Sequence, residues 1–484
     1  MSTPNPGFDP SYAELHLHTA YSLLDGAALP EEIVARAAEL GYRHLAVTDH
    51  DGLYGALEFA NAADSAGIAP ITGAEMTLLD GSHITLLVES ATGYANLCRL
   101  ITAAHQPEPG SGWPSEPAAR ASRLDTALLA EHASGLVLLT GCPKGQLSQY
   151  VDAGDLVSAQ ALLREYVSWF GASNVYVELQ QNQVRGDTRR MARLSRLALE
   201  AGLPTVATGN VHYHRPERYR LHDVLVAIRH QGTLDATARY HRRNGDFALR
   251  PMTDVERLFA RYPEAVQASL HLAERCAAFN LATHAPYQFP EQATPEGESL
   301  DSYLTRICHE KFAERFPHDH PRWQVAWDRL NEELDLIAKQ RLAAFFLMHH
   351  DLLELAEEVA GRVRQEQGQP AASPLPPGRG RGSSVNSLVC YLIGLSPVDP
   401  LEHRLSLGRF LNDARTEPPD IDLDFPRKIR EQLMLSVYER YPGRVGLICT
   451  FATYKLRSAV RDIGKVLGIP VADLDRIAKL CVPG

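Results

Sequence analysis

The segment AELHLHTAYSLLDG, residues 13–26, contains two histidines separated by one residue, and an aspartate follows seven positions after the second histidine. On an alternating, strand-like run His16 and His18 project from the same face, because residues two apart point the same way. Imidazole is a common metal ligand. In isolation the pair is more simply a half-exposed strand, so the metal-binding interpretation depends on the rest of the chain.

The rest of the chain supplies further potential ligands, most of them where a predicted strand or its following loop ends. They are Asp25, Asp49, His50, Glu75, His105, Cys142, Asn210 and His212. Imidazole, carboxylate and thiolate groups together suit zinc, manganese or iron. Several such ions can clamp a phosphate and generate hydroxide for in-line attack. We therefore predict a metal centre to which His16 and His18 contribute, with Asp25 delivered by a loop.

The segment PPDIDLDF, residues 418–425, places three aspartates at two-residue steps within a β-type apolar alternation. Asp422 and Asp424 therefore project on the same face, with Asp420 one step earlier, and such carboxylates can hold paired magnesium ions. An acidic turn near a strand is the alternative interpretation of this motif.

Segments on either side of these aspartates could bind phosphate. Upstream, PGRGRGSSVNSLVCYLIGL is a Gly/Ser-rich loop that opens an apolar helix, which offers backbone N–H groups and a helix N-terminus to a triphosphate at residues 380–384. Downstream, Arg457, Arg461 and Lys465 recur at four-residue spacing and form a cationic stripe on a predicted helix. The alternative for the Gly/Ser-rich loop is a plain linker, and the alternative for the cationic stripe is a solvated helix face. Because both segments lie beside a carboxylate pair in the sequence, phosphate binding explains them better.

Alternating short strands and helices over about residues 12–215 must position the first group of ligands. PEEIVARAAEL is a predicted helix that Pro30 opens and Gly41 closes. The predicted strands are HLAVT, APITGAEMTLL, SHITLLVES, GLVLLTG, NVYVELQ and LPTVATGN. Repeated βα units indicate an α/β fold with a largely parallel sheet, and their number predicts a barrel, in which chemistry collects at the C-terminal ends of the strands.

This alternation stops after about residue 280, where LDSYLTRICHEKFAERF and QVAWDRLNEELDLIAKQ are predicted helices of a new domain. Two segments rich in Pro, Gly and Ser are predicted loops, QPEPGSGWPSEPAARASR at residues 106–123 and GQPAASPLPPGRGRGSS further on. The 484 residues thus suffice for two or three domains.

Charge is unevenly distributed along the chain. The formal net charge is −11, yet residues 426–465 contain nine basic and three acidic residues, so this segment can bind nucleic acid despite the acidic total. No apolar signal core and no run of membrane-spanning length is present, so we expect a cytoplasmic protein with no membrane partner. Seven scattered cysteines predict reduced thiols rather than a disulfide framework.

The motifs HLHTAYSLLDG, TDHDGLYGALEF, GAEM, TGCPKG and TGNVHYH together resemble those of the PHP (polymerase and histidinol phosphatase) domain. The resemblance covers roughly residues 12–285 and implies a distorted seven-unit βα barrel that binds up to three metal ions, Zn²⁺ or Mn²⁺. The ligands that it implies are His16, His18, Asp25, His50, Glu75, His105, Cys142 and His212. Asn210 stands where the family pattern has an aspartate, and a neutral amide is a poorer ligand for a divalent ion. Asp49, next to His50, would be a supporting residue.

The motifs GRGSS-x-NS, VDPL, PDIDLDF and TYKLRSAVRDIGK resemble the palm of bacterial C-family replicative polymerases, the alpha subunit of DNA polymerase III. The form that this palm segment takes here, NSLVCYLIGL, together with HDVLVAIR, resembles the error-prone branch of the family more closely. The resemblance implies that Asp422 and Asp424 hold the catalytic Mg²⁺ ions. It also implies that Gly382 and Ser383 contact the incoming triphosphate and that Arg461 belongs to the same phosphate-binding surface. Primer–template DNA and dNTPs are the implied partners.

The two resemblances divide the chain into a PHP domain at residues 1–285, a partial α+β palm at 286–466 and the start of a thumb at 467–484. The family completes its palm with a third aspartate and binds the sliding clamp through a further segment, both expected beyond this part of the chain. Two-metal transfer tolerates little misplacement of carboxylates. We therefore expect little processive synthesis from these residues alone; a fragment, a truncated product and a polymerase completed by a second polypeptide all fit this arrangement.

Three functions remain open from the sequence. The leading one is templated nucleotidyl transfer by a DNA polymerase, in replication or damage-tolerant repair synthesis. The second is a metal-dependent phosphoesterase or 3′-to-5′ exonuclease, whose ligand set is nearly complete although Asn210 departs from its pattern. The third is a non-catalytic scaffold that bound metal stabilises.

Overall fold

Seven short stretches of extended backbone curl around a common interior in the first part of the chain. The computed structural model describes residues 12–106, 122–284, 292–370, 378–412, 419–446, 448, 450–451 and 453–481. The strands of this first part are β1 (His44–Val47), β2 (Ala69–Thr77), β3 (His83–Val88), β4 (Leu136–Leu139), β5 (Val175–Gln180) and β6 (Thr205–Thr208). The second part contains two short strands, β7 (Arg379–Gly380) and β8 (Leu423–Asp424).

Helices cover the sheet and form most of the second part of the chain. Those before residue 285 are α1 (Pro30–Glu39), α2 (Ala56–Ser65), α3 (Ala91–His105), α4 (Ala127–His132), α5 (Gln146–Ala153), α6 (Leu156–Phe170), α7 (Asp187–Ala201), α8 (Tyr219–Arg229), α9 (Leu234–Thr237), α10 (Met252–Leu258), α11 (Pro263–Cys276) and α12 (Leu281–His284). Those after it are α13 (Leu300–Arg315), α14 (Trp323–Lys339), α15 (Ala343–Glu366), α16 (Leu388–Leu392), α17 (Arg430–Arg440), α18 (Leu456–Val466) and α19 (Val471–Leu480).

The six strands β1 to β6 form one sheet in chain order, and a further segment closes it. Glu14 pairs in parallel with Leu45 of β1, and Leu17 pairs in parallel with Val211 just after β6. The segment around Leu17 is therefore the seventh strand position, between the two ends of the sheet. The predicted α/β fold, with a curled βα sheet followed by a helical part, is confirmed.

Strand β3 runs antiparallel to both of its neighbours, whereas the other strand pairs of this six-stranded sheet are parallel. The link from β2 to β3 spans only residues 78–82, and a connection this short joins antiparallel strands, since a parallel pair needs a crossover of a dozen residues or more. SHITLLVES is thus a hairpin partner rather than the strand of a separate βα unit.

Helix α1 has the boundaries that its sequence predicts. It begins at Pro30, ends at Glu39, and is followed by Gly41 with a φ of 79°. Its buried face carries Ile33, Val34 and Ala37, which join the core between sheet and helices. Apolar spacing of this kind directs one face of the helix onto the sheet.

Backbone contacts divide the chain into two compact units, Met1–Pro286 together with Ala452–Gly484, and Tyr287–Phe451. Residues 452–466, which the sequence assigns to the palm, thus group with the barrel unit, and the assignment of domains stays a prediction. The second unit has its own core, built around Phe346 and Phe410. None of the helices that the structure describes is long and apolar enough to cross a membrane. The described cysteines, Cys98, Cys142, Cys276, Cys308, Cys390 and Cys481, are free thiols.

Candidate metal centre and candidate nucleotide site

His16 and His18 lie on the segment that closes the barrel, and both imidazoles are buried. The segment is hydrogen bonded on both sides: the N–H of His18 donates to Val211 O (2.8 Å) and the N–H of Thr48 donates to Leu17 O (2.8 Å). Leu17, between the two histidines, packs into the hydrophobic core. The alternation therefore brings both imidazoles into the barrel interior, with ring centroids 5.2 Å apart.

Glu75 of β2 is the carboxylate around which the histidines gather. Its Oε1 lies 3.4 Å from His16 Nε2, and its Oε2 lies 3.5 Å from His18 Nε2 and 3.1 Å from His50 Nδ1. Among the described residues, His16 Nε2, His18 Nε2 and Glu75 Oε1 are buried without a hydrogen-bond partner. Such atoms are costly to bury, and their convergence within 4.8 Å fits a divalent ion. An ion there would polarise a phosphate oxygen or activate a water molecule.

Neighbouring side chains fix the orientation of both imidazoles. The Nδ1–H of His16 donates to Glu178 Oε1 at 2.7 Å. His18 Nδ1 lies 3.1 Å from Ser22 Oγ, whose own proton goes to Asp49 Oδ1 at 2.6 Å, so the proton between them belongs to Nδ1. In both rings Nε2 is left as the atom that faces the interior and is available to a metal. Asp49 thus acts on His18 through Ser22.

The buried charges shift the pKa values of these groups. Burial lowers the pKa of His16, but the carboxylates of Glu178 and Glu75 outweigh it and raise the pKa to about 10. Burial and the charge of His50 hold the pKa of His18 well below its usual value. Without a metal, the two carboxylates therefore favour the protonated form of His16, and a divalent ion that bound to Nε2 would displace that proton and supply the positive charge instead.

His83, at the start of β3, belongs to the same cluster although no motif in the sequence singled it out. Its Nδ1 lies 3.3 Å from Glu75 Oε1, and it forms a potential ligand group with His50 and Glu75. Cys142 Sγ lies 3.9 Å from His83 Nδ1, at the edge of this group. Burial and the nearby Glu75 carboxylate raise the pKa of the Cys142 thiol well above its usual value. The signal in the sequence was a histidine heading an otherwise apolar strand.

Asp25 reaches the cluster from the loop that follows the histidine pair. Its Oδ2 lies 3.2 Å from His50 Nε2, and its Oδ1 lies 3.7 Å from His212 Nε2 and 3.2 Å from His222 Nε2. Burial alone would raise the pKa of Asp25, but the charges of His212 and other neighbours hold it well below its usual value. The carboxylate is therefore ionised and surrounded by imidazoles.

His212 and Asn210 follow β6 and border the other side of the cluster. The Nδ1–H of His212 donates to the backbone oxygen of Asn210 at 2.9 Å, which turns Nε2 toward Asp25. The Nδ2 of Asn210 donates to Gln180, whereas its buried Oδ1 has no hydrogen-bond partner among the described residues. Arg242 contacts His212 Nε2 directly.

His105, like Asp25 and Cys142, belongs to none of the potential ligand groups among the described residues, and it lies the furthest to the outside as an exposed side chain. It is the last residue of α3. Its Nε2 donates to the backbone oxygen of Asp51 at 2.7 Å. It lines a second cavity of about 450 Å³ that also borders Asp25 and His50, so it lies near the cluster without joining it.

A cavity of about 670 Å³ opens over the cluster and is bordered by basic side chains. The basic residues that line it are Lys144, Arg190, Arg229, Arg242 and Arg243. Potential metal ligands and cationic side chains thus line the same cavity, an arrangement that is complementary to an anionic group.

In the second unit, the short strands β7 and β8 bring the glycine-rich loop next to the aspartate motif. They pair antiparallel, with Arg379 opposite Asp424, and the N–H of Arg381 donates to Asp422 O at 3.0 Å. Asp420, Asp422 and Asp424 are exposed, whereas the intervening apolar side chains pack against the core. The alternation therefore holds even though β8 itself contains only two residues. The guanidinium of Arg381 pairs with Asp424.

The loop reaches α16 through a 3-10 turn at Gly382–Asn386, and Gly382 has a φ of 67°. Gly382 is exposed on this turn, Ser383 is half-buried, and Ser384 and Asn386 are buried. The N-terminus of α16, in contrast, is occupied from within the protein. Buried Glu333 of α14 accepts from the N–H groups of Leu388 (2.8 Å) and Val389 (3.0 Å). The expectation that this helix N-terminus offers its N–H groups to a phosphate is therefore wrong, and in the preceding turn only Gly382 is exposed.

Arg461 lies on α18, which groups with the barrel unit. Its Nη2 pairs with Asp475 Oδ1 of α19 at 3.2 Å, and Lys465 pairs with Asp462 at 3.4 Å. Both are exposed pairs, which cost little to exchange for a phosphate partner. A site shared by Arg461 with Asp422 and Asp424 stays a prediction.

Comparison with known families matches both parts of the chain. Residues 14–182 match the model of the PHP domain, and residues 302–483 match that of the bacterial DNA polymerase III alpha NTPase domain.

Curated relatives align with nearly the whole chain. An error-prone DNA polymerase of Symbiobacterium thermophilum is 36% identical over 97% of this chain, and one of Mycobacterium bovis is 38% identical over 98%. The DNA polymerase III subunit alpha of Bacillus subtilis is 33% identical over 97%. The chain covers 42% of each error-prone polymerase and 40% of the Bacillus subtilis protein. It thus spans about two fifths of the length of the relatives it matches.

Proposed function

Because the chain belongs to the bacterial C-family DNA polymerases, we propose that it contributes to a DNA-directed DNA polymerase of the error-prone branch. The reaction would be templated nucleotidyl transfer from dNTPs to primer–template DNA with Mg²⁺. The observation that carries this proposal is the pairing of β7 with β8, which sets the exposed residues Arg381 and Gly382 of the glycine-rich turn beside exposed aspartates.

Each residue of this site has a role in the proposal. Asp422 and Asp424 hold the Mg²⁺ ions, since carboxylates on one face of a strand can bind paired cations. Gly382 and Ser383 contact the triphosphate through this turn. Arg381, which neutralises Asp424, carries charge complementary to the triphosphate. The assignment of Arg461 to the phosphate-binding surface rests on the family resemblance alone.

Nucleotide binding tests this assignment. A fluorescent dNTP analogue is titrated with the chain in Mg²⁺ and followed by fluorescence anisotropy. We expect Asp422→Asn and Asp424→Asn to weaken binding by at least roughly tenfold, because each removes a charge-assisted metal contact. Asp420→Asn is the matched control, an exposed aspartate on the same face to which no role is assigned. Equal affinities in all four proteins would contradict the assignment.

A second candidate function, metal-dependent phosphoester hydrolysis including 3′-to-5′ exonuclease activity, is favoured by the buried ligand cluster beneath a basic cavity. Zn²⁺ or Mn²⁺ would be the ion. A 5′-labelled primer incubated with either metal tests it on a denaturing gel. Hydrolysis would be supported if the wild-type chain shortens the primer and His18→Ala does not. His271→Ala, which alters an exposed histidine on α11, is the control and should still shorten the primer. An intact primer would leave the metal with a structural role.

The partners follow from the polymerase proposal. Primer–template DNA and dNTPs are the partners that we infer, and DNA as substrate makes a cytoplasmic location the natural one in a bacterium. A sliding clamp and a second polypeptide that completes the active site stay predictions.

A further inference from the structure

Arg242 extends into the metal cluster from the chain between α9 and α10. Its guanidinium lies over the ring of Phe247, 4.2 Å from the centroid, and 19% of the side chain is exposed. One edge contacts His212 Nε2. The same group reaches His222 Nε2 (Nε, 3.3 Å) and Asp25 Oδ1 (Nη2, 3.7 Å).

The atoms that Arg242 contacts are the ones that a metal ion would use. His212 donates through Nδ1 to a backbone oxygen, so its remaining lone pair is on Nε2. That atom forms one of the potential ligand groups together with His18 and His50. The guanidinium is permanently charged and donates in a fixed plane. It therefore competes with a divalent ion for His212.

The residue at position 210 agrees with this arrangement. A divalent ion with one aspartate carries a single net positive charge, which is also the net charge of one guanidinium with one neutral amide. Asn210 is buried beside His212 and offers no anionic oxygen. Replacing the ion by the guanidinium of Arg242 and the carboxylate by the amide of Asn210 thus leaves the local net charge unchanged.

We propose that the guanidinium of Arg242 takes the cation position beside His212 and Asp25, so that this chain binds divalent ions only through the groups centred on Glu75. The inference rests on the metal centre proposed above. The ligand groups His16–His18–Glu75 and His50–Glu75–His83 contain no atom that Arg242 contacts, and they remain available to Zn²⁺ or Mn²⁺.

Metal content of the full chain tests the proposal. The protein is saturated with Zn²⁺ or Mn²⁺, dialysed and measured by inductively coupled plasma mass spectrometry. We expect His212→Ala to leave the metal content of the wild-type chain unchanged. The double variant Asn210→Asp with Arg242→Ala should gain one equivalent, and adding His212→Ala should remove that equivalent again. Arg243→Ala, which alters another arginine of the same cavity, is the control and should gain none.

Two outcomes would overturn the inference. One is a wild-type chain that loses an equivalent of metal on His212→Ala while circular dichroism shows an unchanged fold. The other is a folded double variant that binds no more metal than the wild type. A wild-type chain that binds no divalent ion at all would instead refute the metal centre itself.

Discussion

Glu178 contacts His16, a ligand of the proposed metal centre, and does not itself belong to a potential ligand group. Its Oε1 accepts from His16 Nδ1 and from Gln180 Nε2, both at 2.7 Å. In Glu178→Gln the amide oxygen can still accept from His16 but lacks the charge. We expect metal affinity to fall roughly 10- to 100-fold, as for other residues that orient a ligand.

Competition titration with a chromogenic chelator measures this affinity. Glu165→Gln, an exposed glutamate on α6, serves as the control and should bind metal as the wild type does. An unchanged affinity in Glu178→Gln would mean that His16 needs no carboxylate to bind the ion.

Individual residues differ in how far the sequence could identify them. His16 and His18 share a face because strand alternation is local, so their spacing alone predicts that both imidazoles point the same way. His83, Glu178 and Arg242 come from distant segments and have no spacing relation to the histidine pair. The closure of the barrel brings them together, and no local sequence pattern predicts this proximity.

At the scale of elements, Glu333 connects two helices of the second unit. It is fully buried, caps the N-terminus of α16 and pairs with Arg329 at 2.8 Å. Glu333→Ala would leave the N–H groups of Leu388 and Val389 and the Nε–H of Arg329 without their acceptor. We expect the free energy of unfolding to fall by about 3 kcal/mol, since removal of one partner of a buried pair leaves the others unsatisfied.

Urea unfolding followed by circular dichroism measures this loss. Glu332→Ala removes the adjacent exposed glutamate of the same helix and should change the stability little. Equal stabilities of the two variants would show that water replaces Glu333 as acceptor without cost.

The same contact explains why the sequence misjudged this element. The glycine-rich residues and the apolar run after them predict a turn followed by a helix, because turn residues and apolar clusters are local signals. The 3-10 turn and α16 confirm this order, although strand β7 lies within the segment that was predicted to be a loop. The acceptor for the helix N-terminus lies on α14, more than fifty positions earlier in the chain. The alternation pattern likewise does not predict the direction of β3. It indicates which residues share a face of the strand, but not whether the neighbouring strand runs parallel or antiparallel.

At the scale of the whole molecule, the proposed metal ligands come from widely separated parts of the barrel: the closing segment, β2, β3 and the chain after β1. An ion bound to them would hold these parts together in the native state only. By mass action, a site at a free metal concentration of about 100 times its Kd stabilises that state by about 2.7 kcal/mol. Removing the ion should therefore destabilise the barrel unit and leave the helical unit unaffected.

Hydrogen exchange of the full chain, measured by mass spectrometry before and after chelation, separates the two units. We expect chelation to speed amide exchange in β1 to β6 and to leave α13 to α16 unchanged. His18→Ala should exchange in the same way with or without chelator, because it has already lost a ligand, whereas His271→Ala should respond as the wild type does. Faster exchange in both units alike would point to loss of global stability without a local metal centre. Wild-type exchange that ignores the chelator would exclude a stabilising ion in the barrel.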